Sequence, residues 1–466
     1  MSDIFDLLVV GGGINGVGIA RDAAGRGLKV LLCDKGDLAS ATSSASSKMI
    51  HGGLRYLEHG AFRLVRESLA EREVLLRIAP NLVRPMRFVL PHGPGLRPRW
   101  MLRTGLFLYD RLGGARSLPA SASVDLRARG VDSPLAAPLR DEVTSGFVYS
   151  DCVVDDARLT IANARDAARH GGEILTRTEL VAARRDGGVW RATLCEENGG
   201  EREVAARILV NVAGPWVPEV LRRAGLARRA RLRLDKGSHI VVPRLYAHDH
   251  AYLLQNDDRR VVFAIPYERD YTLIGTTEIA ATAPPAAPPS DEEIAYLCRA
   301  VGRWFKRAPS PSEVVWRYSG LRPLYDDGSR SASATSRDYV LELDETGPPA
   351  LSVFGGKLTT YRRLAEHALV RLAAHLPRAG PPWTHAAPLP SDNFLAADGG
   401  EFAAGLGKAE VEWLMREEWA RAADDILWRR SKLGLAATPE QKAALERYLT
   451  SRQAGTAAPA RQTSDR

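Results

Sequence analysis

A strand, a glycine-rich turn and a helix open this chain, and that order limits what the rest can build. Ile4-Phe5-Asp6-Leu7-Leu8-Val9-Val10 predicts a buried strand and Ile14 to Arg26 a helix with small residues toward a sheet, joined by Gly11-Gly12-Gly13-Ile14-Asn15-Gly16. Gly11 permits the tight turn and Gly13 lets backbone amides approach a pyrophosphate. Gly16 lets the helix lie close on the sheet, so that phosphate charge meets Ile14 and Asn15 at a helix N-terminus. A second strand, Lys29 to Cys33, delivers Asp34, which would grip a ribose hydroxyl and repel a 2′-phosphate; Lys35 follows at the same site.

Near the other end, Phe354-Gly355-Gly356-Lys357-Leu358-Thr359 starts another helix with a glycine-led turn. The two turns suggest one large cofactor held from both ends of the sequence. Between them, Ala41-Thr42-Ser43-Ser44-Ala45-Ser46-Ser47-Lys48 is a hydroxyl-rich run that would line a pyrophosphate and a ribityl chain, through Thr42, Ser43, Ser44, Ser47 and Lys48. Met49-Ile50-His51-Gly52-Gly53-Leu54-Arg55-Tyr56 follows at once and adds His51, Gly53 and Leu54. A small-residue corner, Ala213-Gly214-Pro215-Trp216, could let the backbone pass close to the same ligand. A nicotinamide is usually held by one compact dinucleotide unit, so several separated segments favour a flavin. A helix N-terminus beside Lys357 suits the negative charge of a reduced flavin's pyrimidine edge.

The 466 residues suffice for two large domains and a small third unit, and the net charge of +8 is modest for that size. Basic clusters such as Arg222-Arg223 and Arg228-Arg229-Ala230-Arg231 are not interleaved with aromatic residues, so no nucleic-acid partner is expected. They suit an anionic substrate or an anionic membrane surface. Four widely spaced cysteines predict reduced packing residues of a cytoplasmic protein, without a metal site. No apolar run approaches the roughly 18 residues of a membrane span, and the first strand leaves no room for a signal peptide. Membrane contact would therefore be peripheral. The segment Trp100 to Tyr109, flanked by Arg97, Arg99 and Arg111, reads either as an interfacial anchor or as an amphipathic core helix.

Helices are expected over Ala61 to Ala79 and Asp155 to His170, then strands over Glu173 to Arg185, Val189 to Glu196 and Glu203 to Val212 in an antiparallel meander. From Leu232 to Gly275 further strands suit an antiparallel sheet inserted as a substrate cap, with a helix at Asp291 to Lys306. The chain would then return to the cofactor domain through Val314 to Arg322, Tyr339 to Leu343 and Leu351 to Phe354. The fold class is thus α/β, a Rossmann-like cofactor domain with an inserted antiparallel-sheet cap and a short C-terminal helical unit.

Several long motifs resemble those of the FAD-dependent glycerol-3-phosphate dehydrogenases of aerobic respiration. They are Val10 to Gly16, Ala41 to His59, Tyr149 to Arg158, Lys236 to Pro243, Tyr318 to Leu324 and Ser352 to Arg362, and the resemblance runs to about residue 390. It implies oxidation of sn-glycerol 3-phosphate to dihydroxyacetone phosphate, with electrons passing from FAD to ubiquinone or another membrane quinone at the inner face of the cytoplasmic membrane. A phosphate dianion favours an arginine cradle, and Arg55, Arg322 and Arg337 lie in motif-rich segments. A base must take the C2 hydroxyl proton, and His51 and His239 are the candidates. Lys357 would help hold developing charge, while Tyr56 and Thr359 position the substrate.

FAD-binding segments are expected at about 1–80, 150–220 and 314–375, and cap segments at about 81–149 and 221–313. A linker over 391–407 would lead to a helical unit over 408–453 and a disordered tail over 454–466. In the family the C-terminal helical region is longer, which bears on membrane docking and leaves a homodimer open. Two other readings remain: a related amine or amino-acid oxidase, which would need a carboxylate clamp, and a flavin-binding module without turnover.

Overall fold

Strand Ile4–Val10 is central because it is apolar on both faces: Leu7, Leu8 and Val9 are all fully buried. In the computed structural model, which describes residues 4–456 except 94, 129–132, 228–230, 259, 327–337, 392–399 and 404, it lies in an eight-stranded sheet. Strands Ala350–Phe354, Glu201–Asn211, Ile4–Val10, Val30–Cys33 and Glu173–Leu175 run parallel in that order, with Val340–Asp344 antiparallel at the edge. Helix Ile14–Gly25 packs against helices Asp156–Arg169 and Tyr361–Arg371 through small residues. A Cβ on Gly18 would meet the Tyr361 ring at 2.8 Å. The C-terminal ends of the parallel strands open on one edge, where ligands bind in sheets of this kind. Gly11, Asp34, Val212 and Gly355 all emerge there.

The expected meander forms through Thr178–Asp186, Val189–Glu196 and Glu201–Asn211. One predicted strand divides, however. Arg177 takes a left-handed φ of 51°, so Glu173–Leu175 pairs with Val30–Cys33 while Thr178–Asp186 turns into the meander.

A ten-stranded, mainly antiparallel sheet forms the second layer. Strand Trp316–Tyr325 belongs to it and not to the cofactor sheet to which the sequence reading returned it. It pairs with Leu232–Pro243 along an unbroken register from Leu232↔Tyr325 to Val241↔Trp316. Met49–Ile50 pairs with Val153 and Cys152, so the chain passes from the hydroxyl-rich loop straight into this second sheet. Helix Asp291–Gly302, started by a Ser290/Glu293 capping box, covers a core that includes Ile240, Val242, Tyr252, Leu254 and Phe305. Arg228 and Arg229 of the basic cluster lie outside the described residues.

The chain divides into two compact units, Met1–Ser391 and Asp392–Arg466. In the second, a helix runs over Lys408–Glu418 and stops at Trp419, whose φ of 56° ends it. The expected helical unit is thus built of separate helices, and a π-helical turn follows at Asp425–Arg430. Phe402, Ala403 and Leu406 are buried with Val411, Ile426 and Leu445, so the later part of the expected linker belongs to this core. The last helix, Pro439–Thr456, runs past the start of the expected disordered tail, whose remainder, 457–466, lies outside the described residues.

Among the described residues no helix is long and apolar enough to cross a membrane.

Candidate active site

A cavity of about 730 Å³ runs along the open edge of the parallel strands and under the second sheet. That size lies within the range of cofactor and substrate pockets. At one end Asp34 accepts backbone N–H groups from Gly12 (2.5 Å) and Gly36 (2.7 Å). Burial pushes its carboxyl pKa up, opposed by those two hydrogen bonds. Lys35 lies 4.3 Å over the Trp216 ring, and both line the cavity with Ala213 and Gly214.

In the middle, Ser43 Oγ accepts the Ile14 N–H at 2.9 Å, and Thr42 donates to Leu321 C=O at 2.7 Å. Asn15 Nδ2 donates to Gly355 C=O at 3.3 Å, so the two glycine turns meet across 340 residues. Gly356, at φ 103°, leaves Asn15 room, since a Cβ there would fall 2.7 Å from Nδ2. Asn15 Oδ1 is buried without a protein partner. A helix N-terminus after Gly11 and Gly13, an acid for a ribose and this orphaned acceptor between two turns fit a dinucleotide cofactor.

The cavity is also lined by imidazole, guanidinium, ammonium and hydroxyl side chains. His51, Gly53, Leu54, Arg55 and Tyr56 line it from one strand-to-helix segment, and Gly355, Gly356, Lys357, Leu358 and Thr359 from the late turn. The Lys357 ammonium sits 3.9 Å over the Tyr56 ring. Arg322 reaches in from the second sheet and donates to Thr276 Oγ1 at 3.1 Å. Gly237 makes that possible, because a Cβ there would fall 2.5 Å from Arg322 Nη2.

Four residues expected in the site are placed behind its wall. Gly16 acts by packing, as a Cβ there would lie 1.8 Å from the Gly11 carbonyl oxygen. Ser44 bonds to Ala41 C=O. Lys48, at φ 55°, points away from the cavity and binds Asp156 at 2.7 Å and Ser44 C=O at 2.9 Å, both in the interior. His239 is 1% exposed and stacks on Tyr318 at 4.8 Å; its Nε2 lies 2.9 Å from Ser47 Oγ, which does line the cavity. Burial, then the Arg322 and Lys48 charges, hold its pKa well below the usual histidine value, so it is neutral. Arg337 lies outside the described residues.

The structure adds lining residues that the sequence reading missed, among them Asp151, Phe263 and Thr276. Asp151 stood in a motif already noted, Tyr149 to Arg158, but nothing local marked its side chain as facing a cavity. Thr276 carried no signal, because its role depends on a partner 46 residues away.

The family model described as FAD dependent oxidoreductase matches residues 6–362, and the chain belongs to that family. Its relatives include a glycerol-3-phosphate dehydrogenase of Pseudomonas aeruginosa, 49% identical over 97% of this chain and 96% of that protein. The aerobic glycerol-3-phosphate dehydrogenase of Escherichia coli is 47% identical over 95% and 97%. A D-erythritol 1-phosphate dehydrogenase of Brucella abortus is 48% identical over 94% and 96%. Within the family, the chain belongs to the branch that holds these glycerol-3-phosphate dehydrogenases. The first alignment spans 499 positions against the 466 residues here, so that relative carries residues with no counterpart in this chain. A glycerol-3-phosphate dehydrogenase from Bacillus halodurans, solved with FAD, has the same fold: TM-score 0.70 at 23% identity, covering 96% of this chain and 94% of that one.

Proposed function

We propose that this protein oxidises sn-glycerol 3-phosphate to dihydroxyacetone phosphate and passes the electrons to a membrane quinone. The observation that carries this reading is the cavity lining, to which Arg55, Arg322 and Lys357 contribute positive charge and His51 an imidazole. A phosphate dianion needs such a cradle, and guanidinium groups match its oxygens in pairs. FAD, held between Asp34, the Asn15 turn and the Gly355-Gly356 turn, would supply the two-electron acceptor for the hydride leaving C2.

The residues divide the remaining work. Arg55 and Arg322 bind the phosphate, and Tyr56 and Lys357 close the space around the carbinol carbon. His51 takes the proton of the C2 hydroxyl, a task that general bases accelerate by about 10²–10⁴-fold. Its position in the cavity lining supports it over His239, whose ring is covered by Ser47. Peripheral docking is supported by helix Arg99–Leu112. It buries Leu102, Leu106 and Tyr109 while leaving Trp100 71% and Phe107 47% exposed near Arg103 and Arg111.

The test is an anaerobic titration of the purified flavoprotein with glycerol 3-phosphate, D-erythritol 1-phosphate, glycerol and an amino acid, following flavin absorbance. Bleaching by glycerol 3-phosphate at the lowest concentration is expected. Preferential bleaching by the four-carbon phosphate would move the substrate to the chemistry named for the Brucella relative, and bleaching by an amino acid would overturn the phosphate cradle.

A further inference from the structure

We infer that Tyr109, Asp151 and Thr359 are positioning residues that clamp the His51-Gly52 backbone and so set where the His51 ring lies. The inference rests on the reading of His51 as proton acceptor. From one side the Thr359 hydroxyl accepts the His51 N–H at 3.2 Å and donates to the His51 carbonyl at 3.3 Å. From the other side Tyr109 Oη accepts the Gly52 N–H at 2.7 Å. One short loop after a two-residue strand is therefore held by side chains from two distant parts of the chain.

The Tyr109 side of the clamp is itself anchored. The phenol donates to the Asp151 carboxylate, with both oxygens 2.8 Å away. Asp151 in turn accepts from Arg72 at 2.9 Å, and Arg72 also donates to the Ser150 carbonyl at 3.0 Å. Tyr109, Asp151, Arg72 and Thr359 are each no more than 4% exposed. Burial and the Asp151 charge keep the phenol protonated, and hence able to donate. A buried network of this kind favours one geometry, because each lost partner leaves a polar group unsatisfied.

Gly52 shows how closely the clamp is fitted. A Cβ there would lie 2.8 Å from Tyr109 Cε2 and 2.5 Å from Leu69 Cδ2, so the phenol ring lies against the bare backbone. A base displaced by about 1 Å can lose on the order of 10²-fold in rate, which makes the clamp part of the chemistry and not only of the fold. The Thr359 hydroxyl, on a residue that lines the cavity, is engaged with both backbone groups of His51.

The experiment uses the FAD-loaded full chain and the variants Tyr109→Phe, Thr359→Val, Thr359→Ser and His51→Gln. Stopped-flow reduction by glycerol 3-phosphate gives the rate at saturation and the half-saturating concentration, and amide hydrogen exchange reads Gly52 directly. Tyr109→Phe and Thr359→Val should each slow saturated reduction by about ten- to a hundredfold with half-saturation nearly unchanged. Tyr109→Phe should also speed Gly52 exchange about tenfold, and Thr359→Ser should restore the rate. Unchanged saturated rates in both Tyr109→Phe and Thr359→Val, with His51→Gln inactive, would overturn the clamp. A normal rate in His51→Gln would overturn the reading of His51 itself, and the positioning role with it.

Discussion

The sheet around Ile4–Val10 meets the cavity chiefly through backbone turns at its strand ends, whereas the ten-stranded sheet brings side chains to it, Arg322, Asp151 and Phe263 among them. On the first wall the decisive contacts are the Gly12 N–H on Asp34, the Ile14 N–H on Ser43 and the Gly355 carbonyl on Asn15. On the second, Arg322 rests on Thr276, and neighbouring charges are paired inside the protein: Lys236 with Glu293 at 2.7 Å and Arg72 with Asp151 at 2.9 Å. The glycine turn of the backbone wall thus has no room for an added atom at Gly11 or Gly16, while the side-chain wall contributes the Arg322 charge. The difference follows from what each must recognise. A pyrophosphate can be bound by amides in a fixed turn, but a small mobile phosphate ester needs full positive charge to be drawn from water.

That contrast can be broken most sharply at Gly16. A Cβ placed 1.8 Å from a backbone oxygen cannot be absorbed by a side-chain rotation, so Gly16→Ala should cost about 3 kcal/mol or more. Flavin content and melting temperature would read this; a yellow variant of normal stability would contradict the packing role. On the other wall, Arg322→Ala should keep FAD bound and raise the half-saturating substrate concentration by about 30- to 1,000-fold, the loss typical of a buried charged contact. An unchanged value would remove Arg322 from the cradle.

The smallest expected effect lies within the second wall, at Asp151. Burial pushes its carboxyl up to about 6 from an ordinary 3.8, against the opposing pull of Arg72 and Tyr109. The folded protein therefore takes up this proton at higher pH than the unfolded chain. The group's contribution to stability is fully present below about pH 4 and is lost as pH rises through 6. Asp151→Asn removes that dependence. The melting temperature of the wild type relative to the variant should fall between pH 4 and 6 and level off above 7, and a difference that stays constant across this window would contradict the shifted carboxyl.

The backbone wall was the more legible of the two in the sequence. Gly11, Gly13 and Asp34 follow from local steric and hydrogen-bonding needs, which leave a fixed spacing between a strand and a helix. His239 shows where such reading stops. It shares a strand face with Gly237, which lines the cavity, but sits two residues or about 7 Å further along, where Ser47 covers it. A strand's alternation tells which face a residue takes and not how far the cavity extends along that face. Lys48 misled in another way: its left-handed backbone turns the ammonium toward Asp156, 108 residues away.

The sequence by itself determined the strand–turn–helix unit, the acid that follows it and the kinds of charged residue that the chemistry needs. These rest on neighbours along the chain. Only the tertiary structure decided which histidine faces the cavity, which lysine becomes an interior ion pair, and what holds His51 in place. The His51 backbone is bonded to a residue 308 positions away and the next amide to one 57 positions away. Contacts over such separations form only after the sheets have packed, and they leave no periodic trace in the order of residues.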